Sequence, residues 1–246
     1  MKTSNKLLLA IGIIIMACLV GYNFALKKEY DKGNFRSPYY GMHKLNLSGF
    51  KIIHNQVADV MGIKIKYSPI SQVWVNPYVE ATLKITSDGH TLNIEAIKRL
   101  QRNTSINDAI VITCPEVDSV VTDGPPDEEN QQSLDNHNPY LRTKIEGFAQ
   151  PHLGVSANNR TLIVMDNNKL GRLNLNLGDN KDGRGYFTIT SSNKIDFADF
   201  NVKSKSELKL YGRSVAQSNN HIADSASVSL SGGALPLFLG APNTAQ

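Results

Sequence analysis

The sequence is poor in the residues on which many functions depend. Its 246 residues include only two cysteines and one tryptophan. Cys18 lies inside an apolar N-terminal run and Cys114 far downstream, so a disulfide would join a lipid-embedded group to a water-facing domain and is rejected. Neither has a CxxC partner, and Cys114 reads as a small buried hydrophobe. The histidines, His43, His54, His90, His137, His152 and His221, make no HxH or HExxH pair, so no metal site is expected. A P-loop, a GxGxxG turn and a G-x-S-x-G elbow are all missing. No cofactor is therefore expected. The formal charge is +4 and the pI about 8.9, but Lys and Arg are scattered, so no nucleic-acid stripe forms.

The strongest positive signal is the uncharged run from Leu7 to Leu26. At 1.5 Å rise per residue, about 20 such residues span a hydrocarbon core. Lys2 and Lys6 precede it, Lys27 and Lys28 follow, and Tyr22 and Phe24 suit an interface. The expectation is a cytoplasmic end at 1–6, an anchor at 7–26 and a linker at 27–44. The main domain, 45–240, would lie outside the cytoplasm, in the periplasm or at the surface. A cleaved signal peptide and a lipoprotein box at Ile15–Cys18 are the alternatives, and both give the same address.

From Leu45 onward the hydrophobic period becomes two. Lys64–Tyr67 and Val73–Val75 alternate, and Leu83, Ile85, Leu92 and Ile94 flank Ser87–Asp88–Gly89–His90, a hairpin signal. Lys98 to Asn107 reads as a basic loop. Ala109 to Thr113 reads as a strand covered on both faces, and Val117 to Thr122 as another strand. Asp127 to Tyr140 is acidic and amide-rich, so a mobile loop is expected near 125–142.

The C-terminal third carries a repeat. Phe187, Leu208 and Val228 recur every 20 to 21 residues, as do Ile189, Leu210 and Leu230. A second set contains Phe200, Val202 and Ile222. One turn of short strands cannot bury its own apolar row, but the next turn can cover it. Alternation then places Leu, Ile, Val and Phe inside and Asn, Ser, Thr and Lys outside. Gly178, Gly185, Gly212 and Gly232 fall where corners need a permissive backbone. The expected fold is all-β: a right-handed parallel β-helix, or solenoid, after one transmembrane helix. An evenly spaced β-sandwich is the alternative. Ala234 to Leu239 is expected to cap the open end or to dock a partner.

Four segments carry a family resemblance. They are MKTSNKLLLAIGIII; Gly49–Ile53 with Ile63–Tyr67, read as an opening strand pair; Asp88–Ile94 with Ile110–Val117; and Ser206–Gly212 with Ser227–Gly232. Together they resemble the auto-transporter adhesin, head GIN domain family, in its membrane-anchored bacterial branch. The resemblance implies a β-helical envelope protein and carries no catalytic residue across. The acidic loop and the irregular stretch Asn193–Asp199 depart from it.

The remaining sequence offers little chemistry. Asp179–Gly183 looks like a calcium loop, but Lys181 takes the third ligand position and Thr190 the twelfth, so a turn is expected. Asp196 and Asp199 read as corner residues rather than a catalytic pair. A speculative ligand surface comprises Trp74 and Tyr78, which could stack on a sugar, and the outward amides Asn174 and Asn176. The expected function is a non-catalytic, adhesin-like module that is tethered to the membrane and binds a glycan or envelope protein. A polysaccharide lyase or glycosidase is the alternative. A sensory partner acting with neighbouring proteins is a third reading, though Met1–Lys6 leaves little room for signalling output.

Overall fold

The computed structural model describes residues 3–33, 37–58, 60–97, 108–124, 142–178, 184–203 and 205–239. The expected loops at 98–107 and 125–141 and the calcium-like segment 179–183 lie outside the described residues. The chain divides into two compact units, Met1–Gly41 and Met42–Gln246. The first is dominated by α1 (Thr3–Lys32), none of whose residues is buried. It is the one helix among the described residues long and apolar enough to cross a membrane. It continues past Leu26 into the stretch read as linker, because Ala25 to Lys32 contains no Gly or Pro to stop it.

The second unit is mostly β. Its early strands are β1 (His43–Leu45), β2 (Ile52–Asn55), β3 (Ile63–Tyr67) and β4 (Gln72–Val75). The short helix α2 (Pro77–Glu80) precedes β5 (Leu83–Ser87), β6 (Thr91–Ala96), β7 (Ile110–Cys114) and β8 (Ser119–Thr122). Then follow β9 (Thr143–Glu146), β10 (Ala149–Ala157), β11 (Thr161–Asp166), β12 (Lys169–Leu177) and β13 (Gly185–Ile189). The last strands are β14 (Lys194–Val202), β15 (Glu207–Tyr211), β16 (Val215–Ile222) and β17 (Ser227–Ser231), before α3 (Leu235–Leu239). The linker reading therefore also stops short, since β1 already begins at His43.

These strands form two sheets that do not close into a barrel. Sheet I has the order β1-β4-β7-β3-β9-β11-β13-β15-β17, and sheet II the order β16-β14-β12-β10-β8-β2-β6-β5. From β8 onward successive strands alternate between the sheets, and each pairs in parallel with the strand two further along. Phe187 stands opposite Leu208, which stands opposite Val228, as the 20-residue repeat predicts. Antiparallel pairing is confined to one end, where β4 joins β1 and β7, and β5 joins β6. The β5–β6 hairpin turns where expected: Asp88 Oδ1 accepts from the His90 and Thr91 N–H groups at 2.8 and 2.6 Å.

The early strands do not stack in sequence order. β2 lies between β6 and β8, and β3 between β7 and β9. The segments resembling an opening strand pair, β2 and β3, are thus in different sheets and do not pair with each other. One column in sheet I runs Ile112, Ile65, Ile145, Met165, Ile189, Leu210, Leu230. The first six are at most 1 % exposed, and the inward residues of both sheets belong to one hydrophobic cluster. β7 is buried on both faces, as read. At the last strands the inner row thins: Asn220 stands opposite Phe200 yet is exposed. There α3 packs against β16, and Ala234 is buried. ALPLFL thus closes this end as a short helix.

The corners explain two glycines differently. Gly212 adopts φ +66°, where a side chain is strained. Gly185 has no such backbone; a Cβ there would stand 2.1 Å from the Ala157 carbonyl oxygen. Inside the corners, buried amides replace apolar contacts. Asn168 Oδ1 accepts from Phe148 N–H at 3.0 Å, and its Nδ2 donates to Ile145 O at 3.0 Å and Asn193 Oδ1 at 2.9 Å. Asn193 Nδ2 in turn donates to Met165 O at 2.9 Å.

Candidate functional site

The sequence-predicted site residues fall in two places. Trp74 is on β4 in sheet I, on the face opposite the buried Val73 and Val75. Its register partners are Lys44 and Val111, and the Lys44 ammonium lies 5.8 Å from its ring centroid. Val111 is only 5 % exposed although it points outward, flanked in register by Trp74 on one side and Lys64 on the other. Tyr78, on α2, is 88 % exposed. Asn174 and Asn176 are on β12 in sheet II and are both exposed. The register does not bring the aromatic pair and the amide pair into one surface.

Around Asn174 and Asn176 the parallel register builds a polar ladder on the outer face of sheet II. Three columns cross β10, β12, β14 and β16. The first is His152, Arg172, Phe197, Gln217; the second Gly154, Asn174, Asp199, Asn219; the third Ser156, Asn176, Asn201, His221. Neighbouring strands are ~4.8 Å apart, and residues two apart on a strand ~6.6 Å, so the columns form a regular grid. Asn201 Nδ2 donates to Asn176 Oδ1 at 3.1 Å, and Asn219 Nδ2 to Asp199 Oδ1 at 3.1 Å. Arg172 Nε lies 3.0 Å from Asp199 Oδ2, and its guanidinium lies over the Phe197 ring at 4.7 Å. Asp199 is therefore on a strand face with both oxygens engaged, and Asp196 is also within β14. The corner reading of Asp199 is corrected, whereas Asp196 sits where the register of β14 skips one residue and both it and Phe197 face outward.

The outer face of sheet I differs in chemistry. Glu146 is bridged by Lys64 at 3.0 Å and Lys144 at 2.8 Å, and Lys144 also reaches Asp166 at 2.9 Å. Hydrogen bonds from Ser192 and Lys144 hold the Asp166 pKa down to about 2. For Glu146, burial opposes ionisation, but Lys144 and Lys64 outweigh it and the pKa falls. This network is self-neutralising and uses its charges internally. Elsewhere His54 meets Asp123 at 3.2 Å, and Asn158 donates to the same carboxylate at 2.8 Å. Among the described residues no three His, Cys, Asp or Glu side chains gather to hold a metal. Cys114 is fully buried, which pushes its thiol pKa up to about 12.

Sequence reasoning missed Arg172, Asp199, Asn201, Asn219 and His221. The available signal was the 20- to 25-residue spacing of their strands, applied to the outward as well as the inward positions.

No protein-family profile matches the chain, and no curated protein matches it. Similarity to solved structures is remote. A candidate adhesin from Bacteroides fragilis is 13% identical, with 78% of this chain and 94% of that one covered and a TM-score of 0.37. A candidate adhesin from Parabacteroides merdae is 12% identical over 78% and 77%, with a TM-score of 0.39. A candidate lipid-binding protein from Parabacteroides distasonis is 14% identical over 78% and 94%, with a TM-score of 0.29.

Proposed function

We propose that the chain is a membrane-tethered, extracytoplasmic right-handed parallel β-helix of adhesin-like type, which binds an envelope or surface glycan and performs no catalysis. The apolar part of α1 serves as the anchor, and the strands after Gly41 form the presented module. The single observation that carries the reading is the polar ladder of Asn174, Asn176, Asp199, Asn201 and Asn219. Its amides and carboxylate are held by strand pairing and by each other. Immobilising a flexible side chain on binding costs about 0.5–1.5 kcal/mol, and here much of that cost is met on folding. Asp199 supports a binding role over acid–base catalysis, because Arg172 and Asn219 already occupy its oxygens.

The test is binding of the full chain, held in lipid nanodiscs, to a panel of purified polysaccharides. Binding is expected to weaken in Asp199→Ala and to be unchanged in Tyr78→Ala. Loss in Tyr78→Ala with no change in Asp199→Ala would move the site to β4 and α2. Capture of envelope proteins with no polysaccharide bound would contradict the glycan reading.

A further inference from the structure

The ladder also constrains the kind of glycan, an inference that rests on the glycan-binding reading. We propose that the ligand is an uncharged polysaccharide chain several sugars long, lying across the strands so that successive sugars meet successive strands.

Charge comes first. The two ionised groups at the centre of the ladder, Arg172 and Asp199, are paired at 3.0 Å. An anionic sugar would have to compete with Asp199 for Arg172, and a cationic sugar with Arg172 for Asp199. Lys169, Lys194 and Asp196 at the strand starts leave one net positive charge at that edge, several residues from the columns of Asn174 and Asn176. Apart from Phe197 and Gly154, the rest of the ladder is amide, hydroxyl and imidazole. Such groups complement sugar hydroxyls, which both donate and accept.

Direction comes second. Along a strand the hydrogen-bonding run is short: Asn174 and Asn176 follow Arg172 on β12, and Asp199 and Asn201 follow Phe197 on β14. Across the strands a hydrogen-bonding side chain stands at every step of the third column, Ser156, Asn176, Asn201, His221, and at three of four steps of the second, Asn174, Asp199, Asn219. A polymer of like units is matched by a row of hydrogen-bonding groups at a constant step. That repeat runs at ~4.8 Å, close to the length of one pyranose in an extended chain. Asn201 Nδ2 spends one hydrogen on Asn176 Oδ1, leaving its second hydrogen and its own oxygen for a ligand. Gly154 and Ser156, on β10, have small or no side chains and leave the entry to these columns open.

The test uses the full chain in nanodiscs and sets of oligosaccharides, two to six sugars long, that are uncharged, anionic (uronic-acid) or cationic (glucosamine). Expected is binding to an uncharged series. Each sugar added up to the fourth strengthens binding about two- to tenfold, the range for one net hydrogen bond, and longer chains add nothing. Affinity should not change as salt rises from about 0.05 to 0.5 M. Asn176→Ala and Asn201→Ala, both on the outer face, should each remove part of the length dependence while the far-ultraviolet spectrum stays native. Salt-sensitive binding to a charged series would overturn this inference and leave the glycan reading standing, as would affinity independent of chain length. Binding to no saccharide of any charge would sink both.

Discussion

Replacing Asn168 by Ala is expected to cost far more than its polarity suggests. Asn168 is 2 % exposed at the corner between β11 and β12. Its side chain accepts from Phe148 N–H and donates to Ile145 O and Asn193 Oδ1, at 3.0, 3.0 and 2.9 Å. Removing it strands a buried N–H, at about 1–3 kcal/mol, and loses two further hydrogen bonds at about 0.5–1.5 kcal/mol each. Asn168→Ala should therefore destabilise the domain by about 2–6 kcal/mol. The matched control is Asn174→Ala, the same chemical change on the outer face, where the cost should stay within about 0.5 kcal/mol. The assay is urea unfolding of the full chain in mild detergent, followed by far-ultraviolet circular dichroism, with midpoints compared at constant slope. Equal midpoints for the two variants would refute the claim that the corner amides are structural and the face amides free for binding.

Gly185→Ala should destabilise strongly, by about 1–3 kcal/mol or more, because the new methyl meets the Ala157 carbonyl; Gly154→Ala, whose nearest neighbour is at 3.4 Å, should be mild. Thermal melts of the two variants check this. The Asp166 carboxyl, at about 2 in the folded chain against about 3.9 unfolded, adds stability that is present above about pH 4 and lost as pH falls towards 2. Asp166→Asn should flatten the acid limb of the stability–pH curve, and an unchanged limb would remove the network from the account.

The inward half of the structure was legible because burial forces a period. Phe187, Leu208 and Val228 had to be apolar, and their spacing gave the register directly. The order of the early strands was not legible. Nothing in the lengths of the segments around β2, β6 and β8 says that the chain returns to lay β8 beside β2, because both orders bury the same side chains. Asn168 and Asn193 were hidden for a chemical reason. In an Asn-rich chain, a buried corner amide and a solvated one look alike until the backbone groups around them are known. Trp74, read as part of a sugar platform, is half-buried on an outer face beside Val111. Asp199 was misplaced because Phe197 faces outward, stacked under Arg172, which interrupts the alternation just before it.

Strands far apart in sequence lie in one continuous stack, which creates the ladder. Spin labels at Asn93→Cys and His221→Cys, in a Cys18→Ser, Cys114→Ala background, test it by double electron–electron resonance. The two positions share a column, six strand spacings apart through His54, Val121, Ser156, Asn176 and Asn201. The stack predicts one narrow peak at about 29 Å. A broad distribution, or a peak displaced by more than about 10 Å, would contradict it.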